Sequence, residues 1–380
     1  MLFEIDDSIS QLIASDGFSS QDEQSLHNLL QSVAEGSHRI TGSRSVLQAI
    51  AGLDTLRPRE RAAATRALGR VAEERSLVRK LTVRGRVVSG ASVLPVSYIE
   101  HGKRVIQFSH RWFDGMSRMQ PTTVLGENLD DVKVLELMSR AAIHMVNISF
   151  MPLAHLAAHG GGSTIGQVLS DLANQQRICV CVVDSDKASP ASELGDTAST
   201  VSNFKDNVRY PTIEVMETIG RDLENALPDS FYDAQYSSHS SYAGMSALLA
   251  SLSTLGEHEL RFHVDVKRGL KYWDFLPQSG VVEHSYWSAK QATLGAIVNV
   301  SGSASLCVQQ QSCPETSKRH CDCAIVRGIS ANVLEAFIHA SEWKDGRVLA
   351  RELDDSVRGE WLRLGMAVAS WCCADQKTRI

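Results

Sequence analysis

Three short apolar runs, at residues 123–125, 145–151 and 178–183, alternate with segments of helical spacing. The third run is apolar throughout, which is typical of a strand that is buried on both faces. A series of strand, helix, strand, helix and strand builds a parallel sheet. We therefore predict an α/β fold with a parallel-sheet core. Ligands of such open sheets bind beyond the carboxyl ends of the strands.

Acidic residues follow two of these runs. Glu127 comes just after the first, and Asp184 and Asp186 come just after the third. Because residues i and i+2 of a strand point to one face, we expect the three carboxylates to converge. Their mutual repulsion would be relieved by a divalent cation, and all-oxygen ligands suit Mg²⁺ or Mn²⁺. A solvated loop or a helix cap is the alternative for such acids, and Asp130 is a candidate N-cap.

A glycine-rich turn, Gly160-Gly161-Gly162, precedes a predicted helix at residues 164–173. Such a turn is either a hinge or a nest of backbone amides that faces an anion. It lacks the Lys-Ser/Thr pair of a Walker A loop, and we find no such loop elsewhere in the sequence. We therefore do not expect an ATPase.

The order of these elements resembles the TOPRIM domain, which topoisomerases, bacterial primases and nucleases of the overcoming-lysogenization-defect type share. The resemblance rests on Glu127, Asp131, the glycine-rich turn, and Asp184-x-Asp186. The family opening is Glu-Gly-x-x-Asp, whereas here the glycine precedes the glutamate. The glycine-rich segment and the spacing to the acid pair are most similar to the nuclease branch.

Two later segments extend the resemblance to the nuclease branch. Residues 221–228 are similar to the Arg-x-x-Glu-Asn-x-Leu segment of TOPRIM-like nucleases of bacterial defence systems, which makes Glu224 a candidate additional ligand. Helical spacing alone predicts an amphipathic helix that ends at Pro228, with Glu224 as a surface charge. In residues 265–270, the resemblance gives Lys267 a contact with the scissile phosphate; a turn lysine is the alternative.

The resemblance implies an Mg²⁺- or Mn²⁺-dependent nuclease that hydrolyses phosphodiester bonds of DNA or RNA. The nucleases that it resembles include effectors of anti-phage defence. This resemblance implies a separate ATPase or sensor subunit as partner. Glu127, Asp184 and Asp186 would hold the essential ion, Asp131 and Glu224 would assist, and Lys267 would contact phosphate. The alternatives are a non-catalytic TOPRIM-like module that binds nucleic acid or a partner, and a primase- or topoisomerase-like enzyme.

Four regions are predicted along the chain: a helical N-terminal region (1–78), a β-rich connector (79–118), a TOPRIM-like catalytic domain (119–276), and a C-terminal region (277–380) with a cysteine cluster and a helical cap. The net charge is −6, but residues 57–86 hold ten Lys/Arg and three Asp/Glu. That basic segment is either a solvated helix face or a phosphate-facing surface. A homo-oligomer is compatible with the sequence.

Four cysteines lie close together in a polar segment: Cys307, Cys313, Cys321 and Cys323. A tetrahedral Zn²⁺ would organise such a segment, although the spacings match no common zinc finger; free or buried thiols are the alternative. No stretch of eighteen apolar residues occurs, and the first thirty residues carry no Lys or Arg. We therefore expect a cytoplasmic protein without a membrane partner.

Overall fold

The chain forms two compact units in the computed structural model, which describes residues 1–90, 94–205, 209–275, 282–298, 324–329 and 332–378. Unit 1 comprises Met1–Val182, Thr200–Met216 and Leu362–Ile380, and unit 2 comprises Val183–Ser199 and Glu217–Trp361. The predicted boundaries near residues 78, 118 and 276 do not coincide with these units, because each unit is assembled from segments that are distant in sequence.

The strands of the described residues are short. They are β1 (Leu2–Ile5), β2 (Arg39–Gly42), β3 (Val83–Val88), β4 (Val96–Glu100), β5 (Lys103–Ser109), β6 (Thr122–Gly126), β7 (His155–His159), β8 (Cys179–Val183), β9 (Ile213–Glu217), β10 (Gly269–Lys271) and β11 (Ala324–Arg327).

Helices account for most of the remaining regular structure. They are α1 (Ser8–Ile13), α2 (Ser20–Ala34), α3 (Arg44–Ala51), α4 (Pro58–Gly69), α5 (Val71–Lys80), α6 (Leu129–Met145), α7 (Ile165–Asn174), α8 (Asp196–Val201), α9 (Asp229–Tyr236), α10 (Ala243–Thr254), α11 (His258–His263), α12 (Val282–Val298), α13 (Val333–Ser341), α14 (Gly346–Glu352) and α15 (Asp355–Trp371).

The N-terminal residues contribute strands to a five-stranded sheet of order β2-β1-β3-β5-β4. Strand β1 pairs in parallel with β2 and β3, β3 pairs in parallel with β5, and β4 is antiparallel to β5. The predicted helical region at 1–78 holds five helices, but the prediction missed strands β1 and β2, which join β3, β4 and β5 of the predicted β-rich connector in one sheet. Strands β1 and β2 have only four residues each, too few to show a period beside long helical patterns.

The second sheet has the order β7-β6-β8-β9, and β6 pairs in parallel with both β7 and β8. The predicted strands at 123–125 and 178–183 and the predicted helix at 164–173 are thus confirmed as β6, β8 and α7. The predicted strand at 145–151 is wrong, because α6 continues to Met145 and the next strand of the sheet, β7, begins only at His155. Edge strand β7 is His-Leu-Ala-Ala-His, which lacks the continuous apolar character of a buried strand.

The general prediction of an α/β fold with a mostly parallel core is confirmed. Helices α13 and α15 also confirm the predicted helical C-terminal cap.

The four clustered cysteines lie outside the described residues, so the zinc site stays a prediction. Among the described helices, none combines the length and the apolar character that crossing a bilayer requires.

The basic segment at residues 57–86 is partly neutralised by acids of unit 1. Arg84 and Arg86 pair with Glu4 at 2.9 and 3.1 Å, and both also pair with Glu100. Arg70 donates to Asp375 at 2.6 Å. A charge that is already paired has less capacity to attract phosphate, so these contacts favour a structural role for much of the segment.

A close approach within the first sheet explains a glycine in the middle of β3. Phe3 lies opposite Gly85 in the parallel pair, and its ring packs edge-to-face against Phe108 at 5.4 Å. A Cβ at position 85 would lie 2.4 Å from Phe3 Cδ1. The aromatic core therefore leaves no room for a side chain at position 85.

We expect Gly85→Ala to lower the free energy of unfolding by about 1–3 kcal/mol, because overpacking displaces the Phe3 ring. Gly69→Ala is the matched control, since a Cβ at that helical position meets nothing within 4 Å. The control should be neutral or stabilising by up to about 1 kcal/mol. Urea denaturation measures both; equal stability of the two variants would contradict the assignment.

Candidate metal centre

Asp184 is placed by the end of strand β8. The five residues of β8 are all buried, and the chain leaves the strand at the half-buried Asp184. Its Oδ1 accepts a hydrogen bond from the backbone N–H of Leu223 at 2.9 Å. The carboxylate is therefore held against the segment that begins at Arg221.

That segment forms a single 3₁₀ turn, Leu223–Ala226, rather than the amphipathic helix that spacing alone predicts. The turn begins at Asp222, whose N–H donates to Asn225 Oδ1 at 3.1 Å. The Asn225 side chain in turn donates to the carbonyls of Arg261 and Val264 at 3.0 and 2.8 Å. Asp222 and Glu224 are consequently buried, with 5% and 3% of their surface exposed.

Lys267 lies on a tight loop between α11 and β10. Asp265 closes this loop, because its Oδ1 accepts from the N–H of Arg268 at 2.8 Å and its carbonyl accepts from the N–H of Gly269 at 2.7 Å. Gly269 has a φ of +83°, a conformation that favours glycine. Arg221 pairs with Asp265 at 3.4 Å and so links the loop to the 3₁₀ turn.

The carboxylates of Asp184, Asp222 and Glu224 converge, with one oxygen of each lying within 4.8 Å of the others. Lys267 Nζ lies 3.2 Å from Glu224 Oε1 and 3.4 Å from Asp222 Oδ1. Glu224 Oε2 is buried and has no hydrogen-bond partner among the described residues. An orphaned charged oxygen at such a depth is costly, and a bound cation would satisfy it.

Burial dominates the protonation of this site. It raises the pKa of Glu224 to about 7, against the attraction of Lys267, and it also raises the pKa of Asp222. Burial opposes the charge of Lys267 as well, yet Glu224, Asp222 and Asp184 together raise its pKa above the usual range. The two shifts oppose each other, since a neutral Glu224 would attract the ammonium less. The buried Glu224 Oε2, which has no partner among the described residues, favours the neutral acid.

The donor set fits a hard divalent cation. Lys267 acts on all three carboxylates, and Arg221, which pairs with Asp265, also acts on Asp222. Carboxylate oxygens are the ligands that Mg²⁺ and Mn²⁺ prefer, and an ion would reduce the repulsion among the acids. Asp184, Asp222 and Glu224 are therefore the residues of unit 2 that could hold the ion.

Asp186 is not one of the three converging acids, which corrects its predicted pairing with Asp184. The rule that residues i and i+2 share a face holds for an extended strand, but β8 ends at Val183 and Asp186 has a φ of +55°. The exposed Asp186 side chain instead packs on Gly195, where a Cβ would lie 2.3 Å from Asp186 Oδ2. Its charge still acts on Asp222, whose pKa it helps to raise after burial.

Glu127 and Asp131 belong to unit 1. Glu127 is half-buried directly after β6, and its carbonyl accepts from the N–H of Gly161 at 3.0 Å. Asn128, rather than the predicted Asp130, caps α6, and Asp131 Oδ2 accepts from the N–H of Asn128 at 2.9 Å. The buried Asp131 carboxylate thus completes a capping box. The metal-binding role of Glu127 and the assisting role of Asp131 stay predictions.

Asp184, Glu224 and Lys267 are predicted from the sequence to share one site, and they lie together in the structure. Asp222 is not among the predicted residues. A signal was present, because Asp222 stands two residues before Glu224 in the same Arg-Asp-Leu-Glu-Asn segment. An acid at that spacing in a turn faces the same locus as the glutamate, but the predicted amphipathic helix would have directed the two side chains apart.

Comparison of the chain with protein-family models, with curated proteins and with solved structures found no match.

The raised pKa of Glu224 predicts a pH-dependent stability. At pH values between 4.5, the ordinary pKa of a glutamate, and about 7, Glu224 of the folded chain retains a proton that the unfolded chain has released. Folding should therefore weaken as the pH rises through this window, with a slope of up to about 1.4 kcal/mol per pH unit, and level off above it. Glu224→Gln should lack this component.

Urea denaturation of both proteins at a series of pH values, with EDTA present, measures the difference in the free energy of unfolding. Glu335→Gln is the control, since that side chain is 57% exposed on α13. A difference between wild type and Glu224→Gln that stays constant from pH 4.5 to 7 would refute the assignment.

Proposed function

We propose that the chain is a divalent-metal-dependent nuclease that hydrolyses phosphodiester bonds of DNA or RNA. The observation that carries this proposal is the convergence of the carboxylates of Asp184, Asp222 and Glu224, one of which has a buried oxygen without a partner among the described residues. Carboxylate-bound Mg²⁺ or Mn²⁺ supplies an activated water and stabilises the leaving oxygen in such hydrolysis. The resemblance to TOPRIM nucleases supports the same reaction, and with it we propose that sheet β7-β6-β8-β9 is a TOPRIM-like core.

The residues of the centre would act in distinct ways. Asp184 and Asp222 present oxygens from the end of β8 and from the 3₁₀ turn, and Glu224 adds the most deeply buried carboxylate. Their fixed backbone contacts hold these oxygens in place, which reduces reorganisation when a ligand binds. Lys267 supplies the positive charge that a phosphate group needs in a centre dominated by acids.

The resemblance assigns further parts of the proposal. By the resemblance, Glu127 would bind the ion and Asp131 would assist, and a separate ATPase or sensor subunit would control the nuclease in an anti-phage defence system. These parts rest on the sequence motifs and require the same first test, which is metal-dependent cleavage.

We expect purified protein to cleave a mixture of single- and double-stranded DNA and RNA with Mg²⁺ or Mn²⁺, and to be inactive with EDTA. Asp184→Asn and Glu224→Gln should each lower the cleavage rate on the order of 100-fold or more, since each removes a charged ligand. Electrophoresis of end-labelled substrates measures the rate.

Asp233→Asn, an exposed acid of α9, is the matched control and should cleave like wild type. Cleavage that persists in EDTA, or that survives both substitutions at the centre, would contradict the proposal. Binding of nucleic acid without cleavage would instead support the non-catalytic module.

A further inference from the structure

We infer that the Lys267 ammonium is an internal cation that a metal ion displaces, so that metal loading releases Lys267 toward the substrate phosphate. This inference rests on the proposed function, because it concerns how the same centre accepts its ion. Lys267 Nζ contacts Glu224 Oε1 and Asp222 Oδ1, two of the three acids that would hold the ion. The ammonium and the metal ion would thus share the same ligands.

The two cations are not expected to occupy the centre together. Divalent ions bind carboxylate oxygens at roughly 2.0–2.6 Å. An ammonium within hydrogen-bonding distance of the same carboxylates would therefore lie close to the ion, in surroundings that screen charge poorly, and the two would repel each other. Binding of the ion should therefore expel the ammonium, and the ammonium should oppose binding of the ion.

Lys267 is the member of this contact that is able to move. The side chains of Asp222 and Glu224 are 6% and 4% exposed, whereas that of Lys267 is 33% exposed. The acids are also anchored, because the Tyr232 hydroxyl donates to the Glu224 carbonyl at 2.7 Å and Asn225 holds the Asp222 N–H. A lysine carries its charge on a flexible four-carbon stem, so its ammonium has a path outward that the carboxylates lack.

The exchange would couple two events. Without a metal ion, Lys267 partly neutralises the buried acids and stabilises the fold. With the ion in place, the released ammonium would lie at the exposed side of the centre, where an anionic phosphate would approach it. If Lys267 were an immobile turn lysine, neither competition with the metal ion nor a change in the exposure of Lys267 would be expected.

The first measurement follows the accessibility of Lys267 in the wild-type chain. Brief acetylation with acetic anhydride, read by mass spectrometry, should label Lys267 several-fold more in Mn²⁺ than in EDTA. Lys290 is the internal control: it pairs with Glu257 at 2.9 Å in the same unit, and its side chain has a similar exposure of 28%. Its labelling should not change.

The second measurement is Mn²⁺ affinity by isothermal titration calorimetry. Lys267→Met removes the competing charge and should tighten Mn²⁺ binding by about 5- to 150-fold, the usual range for coupling between two ligands. Lys267→Arg retains the charge and should bind Mn²⁺ as wild type does, and Lys290→Met should also match wild type. If Lys267→Met does not fold, the labelling of wild type still decides the matter.

Mn²⁺ binding without increased labelling of Lys267 would overturn the displacement and leave the proposed nuclease standing. Mn²⁺ binding by Lys267→Met that is no tighter than that of wild type would do the same. If neither wild type nor Lys267→Met binds Mn²⁺, the metal centre itself fails, and this inference fails with it.

Discussion

The burial of Asp222 and Glu224 beside one lysine is the constraint on which the centre depends. Two carboxylates at this depth lose their hydration, and Lys267 compensates only part of that loss, as the orphaned Glu224 Oε2 shows. A protein that needed only stability would gain from replacing such acids with apolar residues. A proton on Glu224, or the cation proposed above, would complete the charge balance.

The surrounding contacts keep these acids from relaxing into solvent. Asn225 is fully buried and links the 3₁₀ turn to two carbonyls of the following segment. Arg261, also fully buried, donates to the carbonyl of Leu227 at 2.7 Å and pairs with Asp229 at 2.9 Å. A connected polar network of this kind fixes geometry more than it adds stability. These contacts fix the buried acids of the centre, whereas the Lys267 side chain is 33% exposed.

The predictions from sequence succeeded where one local rule dominated. The continuous apolar run of β8 identified a buried strand, and the acid that follows it, Asp184, is in the centre. They failed where tertiary contacts decide: β1 and β2 are too short to be periodic, and the positive φ of Asp186 removes it from the face of Asp184. Asp222 was missed because the segment around it forms a 3₁₀ turn that Asn225 stabilises from within the fold, and helical spacing cannot reveal such a contact.

Net charge is a poor guide to function in this chain, because the two units use their charges differently. In unit 1 several arginines pair with acids within hydrogen-bonding distance, as in the buried pair of Arg39 and Glu74 at 2.8 Å. In unit 2 three acids share Lys267. A net charge of −6 averages the two cases. The local excess of acids around Lys267 is more informative than the net charge, since buried negative charge has to be balanced by a proton or by a cation.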